Sequence, residues 1–282
     1  MHKTIRSWCA VLRSLLVDWF HSPRTIISII ILVALAYMNA RSYSFMLENT
    51  QLYAYPLESV YYFLSSGFGN IVLTSALFLI MMAEVPRNIS FQNCVLIRSN
   101  RRSWLFSQIM FCSFTSIFTI LALLLLSMLF SSAEISAGSG WSDLERIAAN
   151  ADAQWEIQLT DEFIRQWSPL CATLVSLAVL FWFTMTLVIL LFSLCGKPNI
   201  GVMIYISLLV LHVTLLWESL PSWMRFMPVN FSTIQYIGST FPENEIPAIL
   251  SSIAVYILVD MALIVILNIR VKRMELFFKE RS

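Results

Sequence analysis

"RNISFQNCVLIRSNRRSWLFSQIMFCSFTSIFTILALLLLSMLFS" fills residues 87–131, and its two halves differ in kind. Arg87, Arg98, Arg101 and Arg102 crowd the first half, and no charge occurs from Ser103 to Ser131. An uncharged run of that length exceeds the ~20 residues a helix needs to cross the hydrocarbon core of a bilayer. Inside lipid every backbone N–H and C=O must be paired within the segment, which makes a helix the default form. A basic, half-apolar segment followed by a long apolar helix is the pattern from which the rest of the chain can be read.

The same alternation recurs along the 282 residues, of which 58% are hydrophobic and 12% charged. A soluble domain carries about 25% charged residues. Six apolar runs, at about 25–40, 60–84, 104–131, 169–194, 199–217 and 247–269, predict an all-α integral membrane protein with six transmembrane helices in one polytopic domain, 1–282. The first run is the weakest, with an apolar core from Ile26 to Met38 and an arginine at each end, Arg24 and Arg41. The first 25 residues lack the basic tip and apolar core of a cleavable signal peptide, so the first span is expected to act as its own insertion signal.

Lysine and arginine set the expected orientation, since they accumulate in cytoplasmic segments. Lys3, Arg6, Arg13 and Arg24 fall on one side, with Arg87, Arg98, Arg101, Arg102, Lys197, Arg270, Lys272, Arg273, Lys279 and Arg281. The alternate segments hold only Arg41, Arg146, Arg165 and Arg225. Both termini are therefore expected in the cytoplasm of a multi-pass protein of the cell's inner membrane. The outside loops are then about 41–59, 132–168 and 218–246. Cys9, Cys94 and Cys195 fall inside and Cys112 and Cys171 within spans, so no outside disulfide framework is expected.

Three segments outside the spans carry their own patterns. Ile5, Trp8, Cys9, Leu12, Leu15, Leu16, Trp19 and Phe20 recur at helical spacing, with Lys3, Arg6, Arg13 and Asp18 opposite. That predicts an amphipathic helix over 3–22, suited to the inner headgroup plane or to a seat on the protein's own bundle. Ser142 and Glu145 form a capping box, and Leu144, Ile147, Ala151, Trp155 and Leu159 follow at helical spacing, predicting a helix over 143–159. Pro221, Pro228, Pro242 and Pro247 break an apolar third loop, which reads as short helices dipping partway into the membrane.

Catalytic constellations are sparse. The histidines are His2, His21 and His212, which excludes an HExxH metal helix. Gly196-Lys197 is followed by Pro198, so a phosphate-binding loop of the GxxxxGK[ST] kind is excluded there. The chain is thus expected to be no enzyme, to bind no cofactor or metal and, if its work is energised, to draw on ATP held by another polypeptide. Two ionisable groups inside spans are candidates for a substrate path, because such groups are expensive in lipid. Asp260 lies about 13 Å from the inner end of the sixth span and His212 about 20 Å up the fifth, at 1.5 Å per residue. A direct pair is therefore not expected, and the plain reading of Asp260 is a hydrogen bond to Ser, Thr or Asn of a neighbouring helix.

The order from the second span onward is Glu84, a short amphipathic helix near 87–97, the turn Ser99-Asn100-Arg101-Arg102, and a Trp-Leu-Phe start to the third span. This order resembles the permease subunits of type 2 ATP-binding-cassette exporters. The likeness extends to the helix before span one, to six spans with both ends inside, and to the broken apolar segment before span six. The chain departs from the family pattern in having Asn88 and Ser90 where a glycine often follows the glutamate, Gln108 where a lysine often occurs early in span three, and a longer loop at 132–168. The resemblance implies a cytoplasmic coupling helix and an ATPase-coupling set of Glu84, Arg87, Arg98, Ser99, Asn100, Arg101 and Arg102. It implies a separate ATP-binding-cassette ATPase as partner, a second permease copy or a different permease beside it, and contact with membrane lipids but not nucleic acid. The substrate would be amphipathic: a peptide, a drug or a lipid-like molecule. The competing expectation is a sensor or scaffold without transport, whose loop 132–168 binds an outside ligand.

Overall fold

The computed structural model describes residues 2–50, 70–82, 85, 101–131, 167–215 and 245–279. Among them the chain is helical throughout, with α1 His2–Phe20, α2 Pro23–Thr50, α3 Asn70–Met82, α4 Arg101–Ser131, α5 Trp167–Leu194, α6 Pro198–Leu215 and α7 Glu245–Lys279. Three stretches are long and apolar enough to cross a membrane: Arg101–Phe130, Val175–Leu194 and Leu250–Lys272. A fourth arises if Trp8–Phe20 and Pro23–Met38, bent by 64°, form one broken span. Val72–Met82 and Pro198–Leu211 are apolar but shorter. The runs expected at 104–131, 169–194, 199–217 and 247–269 thus each coincide with a helix to within a few residues, except that α7 continues ten residues beyond Ile269. Of the run expected at 60–84, residues 60–69, 83 and 84 lie outside the described residues.

The surface is inverted relative to a soluble protein. Leu121, Leu125 and Leu129 on α4, and Leu250, Leu258 and Met261 on α7, are exposed. Ser75, Ser107, Thr115, Ser116, Thr119, Thr184, Thr186 and Ser252 are buried. A soluble monomer rarely exposes a contiguous apolar patch above a few hundred Å². Lipid removes that limit, and hydroxyl groups turn inward because the bundle supplies their partners. Thr115, Ser116 and Thr119 each bond the carbonyl of the residue four before, at 2.8–2.9 Å, so these three hydroxyls are satisfied within α4.

Helix boundaries follow local chemistry. Pro23, with its fixed φ and no N–H to lose, starts α2. Nothing between Arg41 and Thr50 breaks a helix, and α2 runs through to Thr50. The first outside loop, expected from 41, therefore begins later, because neither glycine nor proline stops the helix there. The α5–α6 corner is a Schellman turn: Lys197 N–H bonds Phe192 O at 2.9 Å and Gly196 N–H bonds Ser193 O at 3.0 Å. Gly196 holds φ at +75°, and Pro198 opens α6 two residues on. Gly201 then lets α6 close on α5, since a Cβ there would lie 2.8 Å from Ile189 Cα.

The amphipathic N-terminal helix sits on the bundle. Val11, Leu15 and Trp19 are buried, and α1 packs against α4. Ser107 Oγ stands 2.8 Å from the Ser103 carbonyl and 3.1 Å from the Trp8 carbonyl, which share its one proton, and the Trp8 ring meets Phe106 edge-on at 5.2 Å. Further along, Trp19 meets Phe111 and Phe118. α1 therefore climbs along the first half of α4. The expected coupling helix at 87–97 and the helix at 143–159 lie outside the described residues, as does the proline-broken loop.

Candidate functional site

Two regions carry the groups that could do work: a polar seam around α5 and the basic start of α4. α5 packs against α3, α4, α6 and α7, and half of its apolar span is buried. On one flank Trp182 donates Nε1–H to Ser75 Oγ at 3.0 Å and stacks on Phe78 at 4.8 Å. Tyr205 of α6 donates its hydroxyl to the Ser75 carbonyl at 3.1 Å. Ser75 thus ties three helices at one point. Nearer the Schellman corner, Ser193 donates to the Val85 carbonyl at 2.9 Å.

On the other flank lies the intramembrane acid. Thr184 Oγ1 donates to Asp260 Oδ1 at 2.6 Å and stands 2.9 Å from the Leu180 carbonyl. Asp260 is 5% exposed, so this carboxyl faces the protein rather than lipid. The plain reading of Asp260, an interhelical bond to a hydroxyl, is what the geometry has. Its partner Thr184 carries no distinguishing signal in the sequence, since α5 also holds Thr186 and Ser193 at similar spacings. His212 lies in the last turn of α6, which packs on α5 and α3, whereas α7 packs on α5 and α4. The two candidates for a substrate path therefore stand on helices that share α5 and otherwise differ in their main neighbours.

At the other region, Arg101 and Arg102 form the first turn of α4. The expected turn ends in Arg101 and Arg102, which are helical here, because Arg-Arg-Ser-Trp has no residue that resists helical geometry. No acid accompanies them in that turn. One to two turns on, Trp104 and Gln108 are buried. Among the described residues, neither Gln108 Oε1 nor Nε2 has a hydrogen-bond partner. A fully buried carboxamide is a strong local demand for a polar neighbour, and the sequence marked Gln108 only as a departure from a family lysine. Glu84, Arg87, Arg98, Ser99 and Asn100 lie outside the described residues.

No family model, no curated protein and no solved structure matches this chain.

Proposed function

We propose that this chain is the membrane-spanning permease subunit of an ATP-binding-cassette exporter. It would work beside a second permease and be energised by a separate cytoplasmic ATPase that docks at its basic segment. The observation that carries the reading is the pair Arg101–Arg102 on the first turn of α4. An acidic surface on the ATPase would be complementary in charge to this pair. With both termini cytoplasmic, as the lysine and arginine distribution favours, this turn faces the compartment that holds ATP.

The packing suits the role. α1 is bonded to α4 one to two turns above the arginine pair, and α2 packs on α4 as well. A push on the basic turn would move α1, α2 and α4 as one body. α5 is tied to α3 and α6 through Ser75 and to α7 through Thr184. Relative motion of these two groups would open and close a path for an amphipathic cargo such as a peptide, drug or lipid-like molecule. ATP binding and hydrolysis occur on the partner, and this chain supplies the path.

The test is to express the chain with its native neighbouring proteins, extract it gently and assay for an ATPase subunit with vanadate-sensitive turnover. Arg101→Glu with Arg102→Glu is expected to remove that subunit while leaving membrane insertion intact. A chain that purifies without any ATPase overturns the reading. A double variant that still assembles normally removes the docking role of the arginines.

A further inference from the structure

The apolar stripe of α1 is wider than the contact that covers it. At 100° per residue, Trp8, Val11, Leu15 and Trp19 share one direction, and three of these are buried while Trp8 meets α4. Cys9, Leu12, Leu16 and Phe20 point about 100° further round. With Val17, Arg13 and His21 they line an open, shallow cleft of about 390 Å³ along one face of α1. Its floor is apolar, yet Val17 is 48% and Phe20 38% exposed. Arg13 is exposed beside this floor. His21 stands at the far end, with Nδ1–H donated to the Val17 carbonyl at 2.8 Å. Asp18, the single acid of α1, lies five residues from Arg13 and so about 140° away from it around the helix.

We propose that this cleft is a seat for one anionic phospholipid, with the phosphate on the Arg13 guanidinium and an acyl chain along Leu12, Leu16, Val17 and Phe20. The inference rests on the reading that α1 starts at the cytoplasmic face of the membrane, from which it climbs along α4. Charge complementarity selects the occupant: a cation borders the floor while the only acid of the helix is turned away. The floor also selects against a soluble anion, which would leave Val17 and Phe20 in water. A guanidinium binds phosphate through paired N–H groups, while the apolar floor provides what a free phosphate lacks.

Cys9 lines the cleft, is exposed and is a free thiol, so it reports occupancy without any added label site. The full chain is reconstituted, without an ATPase, into nanodiscs of phosphatidylcholine alone or of phosphatidylcholine mixed with phosphatidylglycerol. Cys9 is alkylated with an uncharged, water-soluble maleimide and followed by peptide mass spectrometry, with exposed Cys195 as the internal reference. Phosphatidylglycerol is expected to slow Cys9 alkylation about five-fold relative to Cys195, the factor that one basic residue contributes near an anionic surface. Arg13→Gln abolishes that difference and Arg13→Lys retains most of it. Equal rates in the two lipids, or slowing that survives Arg13→Gln, overturn the proposal. So does shielding of Cys9 that appears only when another protein is added, which assigns the cleft to a protein partner. Because no ATPase is present, none of these outcomes bears on whether one docks at Arg101 and Arg102. Placement is read separately: a membrane-impermeant maleimide reaches Cys9 only from the cytoplasmic side of sealed vesicles if α1 lies where the seat requires.

Discussion

α5 and α7 are both apolar, both long enough to span, and both carry polar residues, yet they hold opposite places in the bundle. Half of the α5 span is buried, against 22% of the α7 span. α5 touches four other helices and is buried around most of its circumference from Phe181 to Leu190. α7 buries one stripe, Ser252, Tyr256, Asp260, Leu267 and Val271, and turns Leu250, Leu258, Met261 and Val265 outward. Lipid is as apolar as leucine, so hydrophobicity cannot decide which helix goes to the centre. Close packing and hydrogen bonds decide it. α5 meets the close-approach glycine of α6 and the Ser75 junction, while α7 offers a narrow polar stripe to one side only.

The sharpest way to break this contrast is to add volume to each helix contact. Gly201→Val places carbon against the Ile189 backbone, which is not a flexible side chain and cannot turn aside. Overpacking of this kind is expected to lower stability by about 3 kcal/mol, read as the shift in thermal unfolding of the purified protein in nanodiscs. Ala254→Val adds similar bulk at an exposed position of α7 and is expected to change stability by less than about 0.5 kcal/mol. Equal losses at the two sites would mean that α7 is covered over its outer face in the working protein.

Removing volume sharpens the same comparison with a smaller effect. Leu190 is fully buried on α5 and Leu258 is 69% exposed on α7. In a membrane the transfer of leucine from lipid to protein contributes little, so Leu190→Ala loses mainly the contacts around the cavity. About 2 kcal/mol is expected, at the low end of buried leucine truncations. Leu258→Ala exchanges one apolar surface for another against lipid and is expected to be near neutral.

Most of the helices were legible in the sequence, because span length and lack of charge are set by the bilayer and leave a mark twenty residues long. Helix ends were legible where glycine or proline sat, as at Gly196-Lys197-Pro198, and were misplaced where neither did. The run from Arg41 to Thr50 reads as loop because it is polar, yet nothing in it stops a helix. Centre and edge could not be read, since α5 and α7 satisfy the same hydropathy pattern. The polar contacts were half legible. Asp260 stands out as an acid in an apolar run, but Thr184 is one hydroxyl among many. The halving of the α1 stripe was hidden as well, because Leu15 and Leu16 are the same residue type and only the position of α4 separates them.

The bond between the two helices gives the finest test. Thr184→Val removes the donor and nearly preserves shape; Asp260→Asn keeps an acceptor and removes the acid; the double variant closes a thermodynamic cycle. Interhelical hydrogen bonds in membrane proteins have coupling energies averaging about 0.6 kcal/mol and reaching about 1.7 kcal/mol. A 2.6 Å bond to a buried carboxyl belongs at the upper end of that range. The bond can fix the register of α7 on α5, since apolar side chains can slide by a turn and a single hydroxyl–carboxyl pair cannot. A coupling near 1.5 kcal/mol, with Thr184→Val alone loosening α7 in hydrogen exchange while leaving α5 and α6 protected, is the expected result. A coupling near zero would mean that other contacts of the buried stripe hold α7. Asp260 would then be free to serve a partner other than Thr184.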